Sequence, residues 1–127
     1  MADDEAKATL KSAIENFNSI KTNNKKHMIL GDMLELGKHS KSLHKKMSVI
    51  INSTSIDKVS VLGKHIVETY KNIETQKKGL ILKENSQIFD LIQKNINNND
   101  YLMIKGSNST GLNRFVSSIK KGNINAL

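Results

Sequence analysis

Two polar segments, each between a short apolar run and an amphipathic stretch, hold the residues whose types could do chemistry. The first contains Gly31 and Asp32. A glycine permits a sharp turn, and a carboxylate at a strand tip could accept a hydrogen bond from a hydroxyl group or orient a cation. On spacing alone we favour the alternative, in which Asp32 only organises its loop by bonding to its own backbone.

The second segment reads Lys105, Gly106, Ser107, Asn108, Ser109. A cation, a small residue and hydroxyl groups ahead of a helix can cradle an anion, because the first-turn N–H groups and the helix dipole favour negative charge. An ordinary strand-to-helix turn with Ser107 or Ser109 as N-cap is equally compatible. The segment lacks the Gly-x-x-x-x-Gly-Lys-Ser/Thr pattern of a phosphate-binding loop.

The histidines and the lack of cysteine predict no metal site. His39 and His44 are five residues apart, which is not the spacing of a helical zinc pair, and no acidic partner follows at metal spacing. Without Cys, a disulfide framework, a thiol nucleophile and a Cys-ligated cluster are excluded.

Amphipathic stretches and short apolar runs alternate along the chain. The spacing predicts helices at 5–20, 40–54, 65–73, 86–96 (with Ser86 as N-cap) and 112–119, and strands at 27–30, 59–62, 79–82 and 101–104. Such alternation indicates an α/β fold in three layers, with a mostly parallel sheet flanked by helices on both faces.

Ligands of parallel sheets bind beyond the carboxyl ends of the strands. The polar residues that follow the predicted strands are therefore the candidates for a site. They are Asp32, Lys64, His65, Lys83, Glu84, Lys105, Ser107 and Asn108.

Length and charge limit the class of protein. A chain of 127 residues is the size of one domain, residues 1–127, and cannot hold several. The net charge of +8 admits a small basic module that binds nucleic acid or another anion, and we keep this as the alternative function. The lysines are spread in short pairs and not clustered, so we expect no nucleic-acid partner. No apolar run could span a bilayer and no signal peptide is visible, so we expect the cytoplasm and no membrane partner.

Three motifs in order resemble the C-terminal domain of Mur ligases. Residues 29–37 read Ile-Leu-Gly-Asp-Met-Leu-Glu-Leu-Gly and are followed by Ser40 and His44. Residues 56–64 read Ile-Asp-Lys-Val-Ser-Val-Leu-Gly-Lys, and residues 100–107 read Asp-Tyr-Leu-Met-Ile-Lys-Gly-Ser. The first motif resembles the branch of the family that adds D-Ala-D-Ala, and the resemblance extends from about residue 10 to residue 122.

The resemblance implies a Rossmann-like domain and a share in an ATP-dependent reaction of peptidoglycan precursor synthesis. These ligases use ATP to convert the UDP-MurNAc-tripeptide to an acyl phosphate, which the amino group of D-Ala-D-Ala then attacks. A first domain holds the nucleotide sugar, a central one binds ATP and Mg²⁺, and the C-terminal one closes over ATP and positions the dipeptide. We therefore expect no cofactor, no activity and a monomer for this domain alone.

Residue by residue, the resemblance assigns Lys105, Ser107 and Asn108 to the D-Ala-D-Ala side, and Gly31 and Asp32 to the ATP side. It gives no catalytic residue and no metal ligand. Many relatives have Arg where this chain has Asn108, which weakens any pairing with a carboxylate there. Residues 1–9 lack the asparagines that contact ATP in the family, so we expect a truncated or vector-derived start.

Overall fold

The computed structural model describes residues 2–33, 40–106 and 125–126, with side chains described at residues 10–33 and 42–106. Its helices are α1 (Ala2–Asn18), α2 (Ser40–Asn52), α3 (Val67–Asn72) and α4 (Ser86–Asn95). Its strands are β1 (Lys26–Gly31), β2 (Lys58–Leu62), β3 (Lys78–Leu82), β4 (Tyr101–Lys105) and β5 (Asn125–Ala126). The helix expected at 112–119 lies outside the described residues.

The described strands form one sheet in the order β3-β2-β1-β4-β5, and every pair is parallel. The central strand β1 pairs through Met28 with Val59 on one side and with Met103 on the other. The strand β1 thus has a paired strand along each of its edges, and all six of its residues are buried. A strand buried on both faces is the reason that this segment is a continuous apolar run in the sequence.

Two separate apolar clusters cover the two faces of the sheet. One joins residues of β1 and β2 to the buried stripe of α1, formed by Leu10, Ile14 and Phe17 at helical spacing. The other packs α4, through Ile88 and Leu91, on the opposite face. Burial of one such aliphatic side chain contributes about 1.5–3 kcal/mol. The three-layer α/β fold expected from the sequence is therefore confirmed.

The start of α4 differs from the prediction. Ser86 was expected as N-cap, but Asn85 holds that position and makes no side-chain cap. The Ser86 hydroxyl donates to Glu84 Oε2 over 3.2 Å, and Gln87 Oε1 instead accepts from the N–H groups of Lys83 and Glu84. The Ser86 prediction was wrong because the helix begins with Asn85 as N-cap, and the carbonyl groups of Glu84 and Asn85, not a side chain, accept from the first-turn N–H groups of Gln87 and Ile88.

Two other boundaries also differ. α1 extends to Ala2, three residues before the expected start at Glu5. The short strand β5 was not expected, since two residues carry no periodicity that a sequence pattern can show. The origin of residues 1–9 stays a prediction. None of the helices in the described part of the chain is long and apolar enough to cross a membrane.

Candidate functional site at the carboxyl edge of the sheet

The sheet has a topological switch point between β1 and β4. From β1 the chain continues to β2 on one side, whereas β4 is followed by β5 on the other side. In parallel sheets a switch point of this kind forms a crevice at the carboxyl ends of the two strands, and ligands bind there. Leu30 pairs with Lys105, so Gly31 and Gly106 are level with each other at this edge, and Asp32 follows directly after Gly31.

Asp32 supports the neighbouring loop. Its Oδ1 accepts hydrogen bonds from the N–H groups of His65 (2.8 Å) and Ile66 (2.7 Å), and its Oδ2 accepts one from Lys64 (3.1 Å). The side chain is only 8% exposed. Asp32 therefore organises backbone, as the spacing favoured, but the backbone belongs to the turn between β2 and α3 and not to its own loop.

Gly63 allows this close approach of Asp32. Its φ is +148°, a conformation that L side chains rarely adopt. A Cβ at this position would lie 2.5 Å from Asp32 Oδ1. Gly31, in contrast, is the last residue of β1 and pairs with Leu62, so the sharp turn expected at Gly31 is absent. The unusual glycine conformation occurs at Gly63, directly after β2.

His44 holds the backbone that follows Asp32. The ring is fully buried, and its Nε2 accepts a hydrogen bond from the N–H group of Met33 over 3.1 Å. An accepting Nε2 carries no proton, so the neutral ring has its hydrogen on Nδ1. The ring also stacks on that of His65, with centroids 6.3 Å apart, and the Thr69 hydroxyl donates to the His44 carbonyl.

The spacing of the residues predicts no role for His44 beyond its place in the motif. The signal that could have found it is its position in the α2 stripe, one residue after Leu43 and three before Met47. A polar ring on the buried face of a helix needs a hydrogen-bond partner, and the loop at the end of β1 provides one.

Lys105 presents a cation beside the switch point. It is the last residue of β4 and is half-buried, and no side chain or carbonyl group in the described ranges pairs with its ammonium group. Lys83 and Glu84 follow β3, three strand spacings from β4, or about 14 Å. The structure thus brings Asp32 and Lys105 to one crevice and separates both from Lys83. Ser107 and Asn108 lie outside the described residues.

The described residues do not form a metal site. Residues 2–33, 40–106 and 125–126 hold no group of three His, Asp or Glu side chains that could bind a metal ion. Asp32, which follows β1 at this edge, already uses both oxygens on backbone N–H groups. These residues therefore do not fit Mg²⁺, and Asp32 acts by fixing the loop at the crevice.

Comparison with known proteins agrees with this geometry. The family described as Mur ligase, glutamate ligase domain, matches residues 4–108, and the chain belongs to this family. Among its relatives is the UDP-N-acetylmuramoyl-tripeptide–D-alanyl-D-alanine ligase of Bacillus subtilis (strain 168), which is 34% identical over 97 residues. That match spans 66% of this chain but 21% of the relative.

A solved structure shows the same fold. The MurF ligase of Thermotoga maritima, crystallised in complex with ADP, superposes with a TM-score of 0.71 at 21% identity. The superposition covers 92% of this chain and 26% of that one. The chain thus spans about a fifth to a quarter of the length of these two proteins. The resemblance to Mur ligases seen in the sequence is confirmed.

Proposed function

We propose that this chain is the C-terminal, closing domain of an ATP-dependent ligase that joins D-Ala-D-Ala to UDP-MurNAc-tripeptide in the cytoplasm. The observation that carries the proposal is the switch-point crevice with a lysine ammonium at its edge, in a chain 34% identical to a ligase of that name. Residues 1–127 act as one domain, and the rest of the enzyme supplies the other parts of the reaction.

The dipeptide explains why a cation is needed at this edge. D-Ala-D-Ala has a carboxylate at one end and the reacting amine at the other. When the Lys105 ammonium group holds the carboxylate, the amine is free to attack the acyl phosphate of the tripeptide. This attack forms the amide bond, breaks the bond between the acyl carbon and the phosphate oxygen, and releases phosphate and a proton. Holding the two reactants together is a large part of such catalysis.

ATP and Mg²⁺ bind mainly outside this chain in our proposal. The described residues offer no metal ligand set, and the sequence has no Gly-x-x-x-x-Gly-Lys-Ser/Thr loop. In this proposal Gly31 and Asp32 lie on the ATP side when the domain closes. Asp32 fixes the turn at residues 64–66, and His44 holds the N–H group of Met33. Ser107 and Asn108 would complete the dipeptide side.

The test compares two lysines of the same edge in the ligase that carries this domain. Lys105→Ala should raise the KM for D-Ala-D-Ala about ten- to a hundredfold, because a hydrogen bond between charged groups is worth about 1.5–3 kcal/mol. Lys83→Ala removes the same charge at the tip of β3 and should leave this KM within about twofold, as surface charges far from a site contribute little. The KM for ATP should change little in both variants.

Phosphate release that depends on the dipeptide provides the measurement. Equal KM values for D-Ala-D-Ala in the Lys105→Ala and parent enzymes would refute the site assignment. Equal losses in both variants would show a general effect of positive charge instead. Lys105→Arg should recover part of the affinity, since the charge is kept.

A further inference from the structure

A second cavity lies at the opposite edge of the sheet from the switch point. It has a volume of about 400 Å³ and opens at the amino ends of β1, β2 and β3, beside the last turn of α4. Strands of five residues separate the two edges by about 16 Å. The volume falls in the range of small-molecule sites, about 300–1,000 Å³. Nothing in the proposed ligase reaction uses this cavity.

The charge of the cavity is positive. Lys25, Lys58 and Lys78 line it, and no Asp or Glu is among the lining residues that the structure describes. Lys25 and Lys58 are exposed, and the Lys58 ammonium group is held in place by a 2.9 Å hydrogen bond to the Gln76 carbonyl. That bond uses one of its three N–H groups, so the others can bind an anion.

Two carboxylates lie close to these lysines in the chain or in contacts, and both accept from backbone: Asp57 from the N–H group of Lys26, and Asp100 from that of Lys25. Asp100 bonds to His27 Nε2 over 3.1 Å and accepts from the N–H groups of Lys25 and Asn97. His27 lines the cavity and holds the Asp100 carboxylate through its Nε2. The lining itself carries lysine charges and, among the residues that the structure describes, no acidic side chain, although the Lys78 ammonium group lies over the Tyr70 ring, 5.4 Å from its centroid.

A buried hydroxyl group and an apolar wall complete the cavity. Ser60 is only 3% exposed, and its oxygen accepts a 3.0 Å hydrogen bond from the N–H group of Leu80. No acceptor for the Ser60 hydroxyl hydrogen is found in the described part of the chain, so it can donate into the cavity. Leu80 and Leu91 supply apolar surface, and Leu80 is half-exposed there.

We propose that this cavity binds a small molecule that joins an oxyanion, a phosphate ester or a carboxylate, to an apolar body. The oxyanion lies between the ammonium groups of Lys25 and Lys58 and accepts from Ser60. The apolar body packs on Leu80 and Leu91. The site is separate from the D-Ala-D-Ala site, and it gives the domain a second ligand.

The test follows backbone amide shifts of the ¹⁵N-labelled chain during titration with phenyl phosphate and with benzoate. The amides of Ser60, Gly79 and Leu80 should shift and saturate, whereas that of Gly106 should not. The tighter of the two probes identifies the oxyanion as ester or carboxylate. Phenol, which lacks the charge, should bind at least about tenfold more weakly, as expected for loss of a charged hydrogen bond.

Two double variants that lose the same charge at different places distinguish binding at this cavity from a general effect of the positive charge of the protein. Lys25→Met with Lys58→Met should raise the Kd of the tighter probe at least about tenfold. Lys45→Met with Lys46→Met removes two exposed charges of α2 and should leave the Kd within about twofold.

Three results would overturn the proposal. They are shifts confined to Gly106 and its neighbours, an equal loss in both double variants, and no saturation for either probe. Lys105→Ala should leave these titrations unchanged, so the proposal can fail without affecting the proposed ligase function, and the reverse also holds.

Discussion

Replacing Asp32 with Ala should destabilise the carboxyl edge of the sheet, because three backbone N–H groups lose their acceptor at once. Ile66 is fully buried, so its N–H group finds no water, at a cost of about 1–3 kcal/mol. Lys64 is exposed and His65 half-exposed, so water replaces much of their bonding, with a loss of about 0.5 kcal/mol each. The expected total is about 2–4 kcal/mol in the free energy of unfolding.

Urea unfolding of the chain, followed by circular dichroism, measures this loss. A loss of 3 kcal/mol corresponds to a fall in Tm of about 10 °C for a domain of this size. Asp32→Asn should lose less, about 1–2 kcal/mol, because one amide oxygen still accepts from His65 and Ile66 while the amide nitrogen faces the N–H group of Lys64. A stability of Asp32→Ala within about 0.5 kcal/mol of the parent would refute the reasoning.

A second substitution, Gly63→Ala, tests the contact between residue 63 and the Asp32 side chain directly. In the parent the new Cβ would lie 2.5 Å from Asp32 Oδ1 and would adopt a φ of +148°. In the Asp32→Ala background the steric conflict disappears while the backbone strain stays. The cost of Gly63→Ala should therefore be at least about 1 kcal/mol smaller in that background, the size of coupling expected for residues in contact. Simple additivity would show that the two residues do not meet.

Three further predictions concern other parts of the molecule. Burial raises the pKa of Asp100, but the N–H groups of Asn97 and Lys25 and the ring of His27 lower it more, so the net pKa is below its usual value. The stability that Asp100 adds should therefore be present above its unfolded-state pKa of about 3.9 and be lost as the pH falls through the lower folded-state pKa, so urea unfolding should show the gap between Asp100→Asn and the parent narrowing below about pH 4. His44→Leu should cost about 1–3 kcal/mol by removing the acceptor of the Met33 N–H group, more than His65→Leu at the half-exposed ring, and a larger loss for His65→Leu in thermal unfolding would contradict this. The chain alone should sediment as a monomer and release no phosphate from ATP, and turnover by a clean preparation would contradict this.

The sequence was sufficient to predict most of the helices and strands and the α/β fold class. Helical spacing at Leu10, Ile14 and Phe17 and the continuous apolar run from Met28 to Leu30 reflect burial along one element, which is local information. The third strand was harder, because β3 lies at the edge of the sheet and leaves Leu80 and Ile81 about half exposed. An edge strand pairs with one neighbour only and is less buried, so its sequence shows a weaker hydrophobic pattern.

The candidate site could be predicted only in part. Lys105 and Asp32 were found because each lies at the carboxyl end of an apolar run, and the family motifs point to the same positions. The role of Asp32 could not be deduced, since its partners at 64–66 are more than 30 residues away in the chain. The amino-edge cavity was also invisible, because its lysines come from the starts of different strands.

The amino-acid sequence by itself determined an α/β domain of the Mur ligase family, since periodicity and short motifs record the faces that are buried and the turns that follow them. Tertiary structure alone decided the strand order, and with it the crevice between β1 and β4. It also decided which backbone Asp32 supports and where the lysines gather. The physical reason is that hydrogen bonds and charges act over a few ångströms in space, and distance along the chain does not fix distance in space.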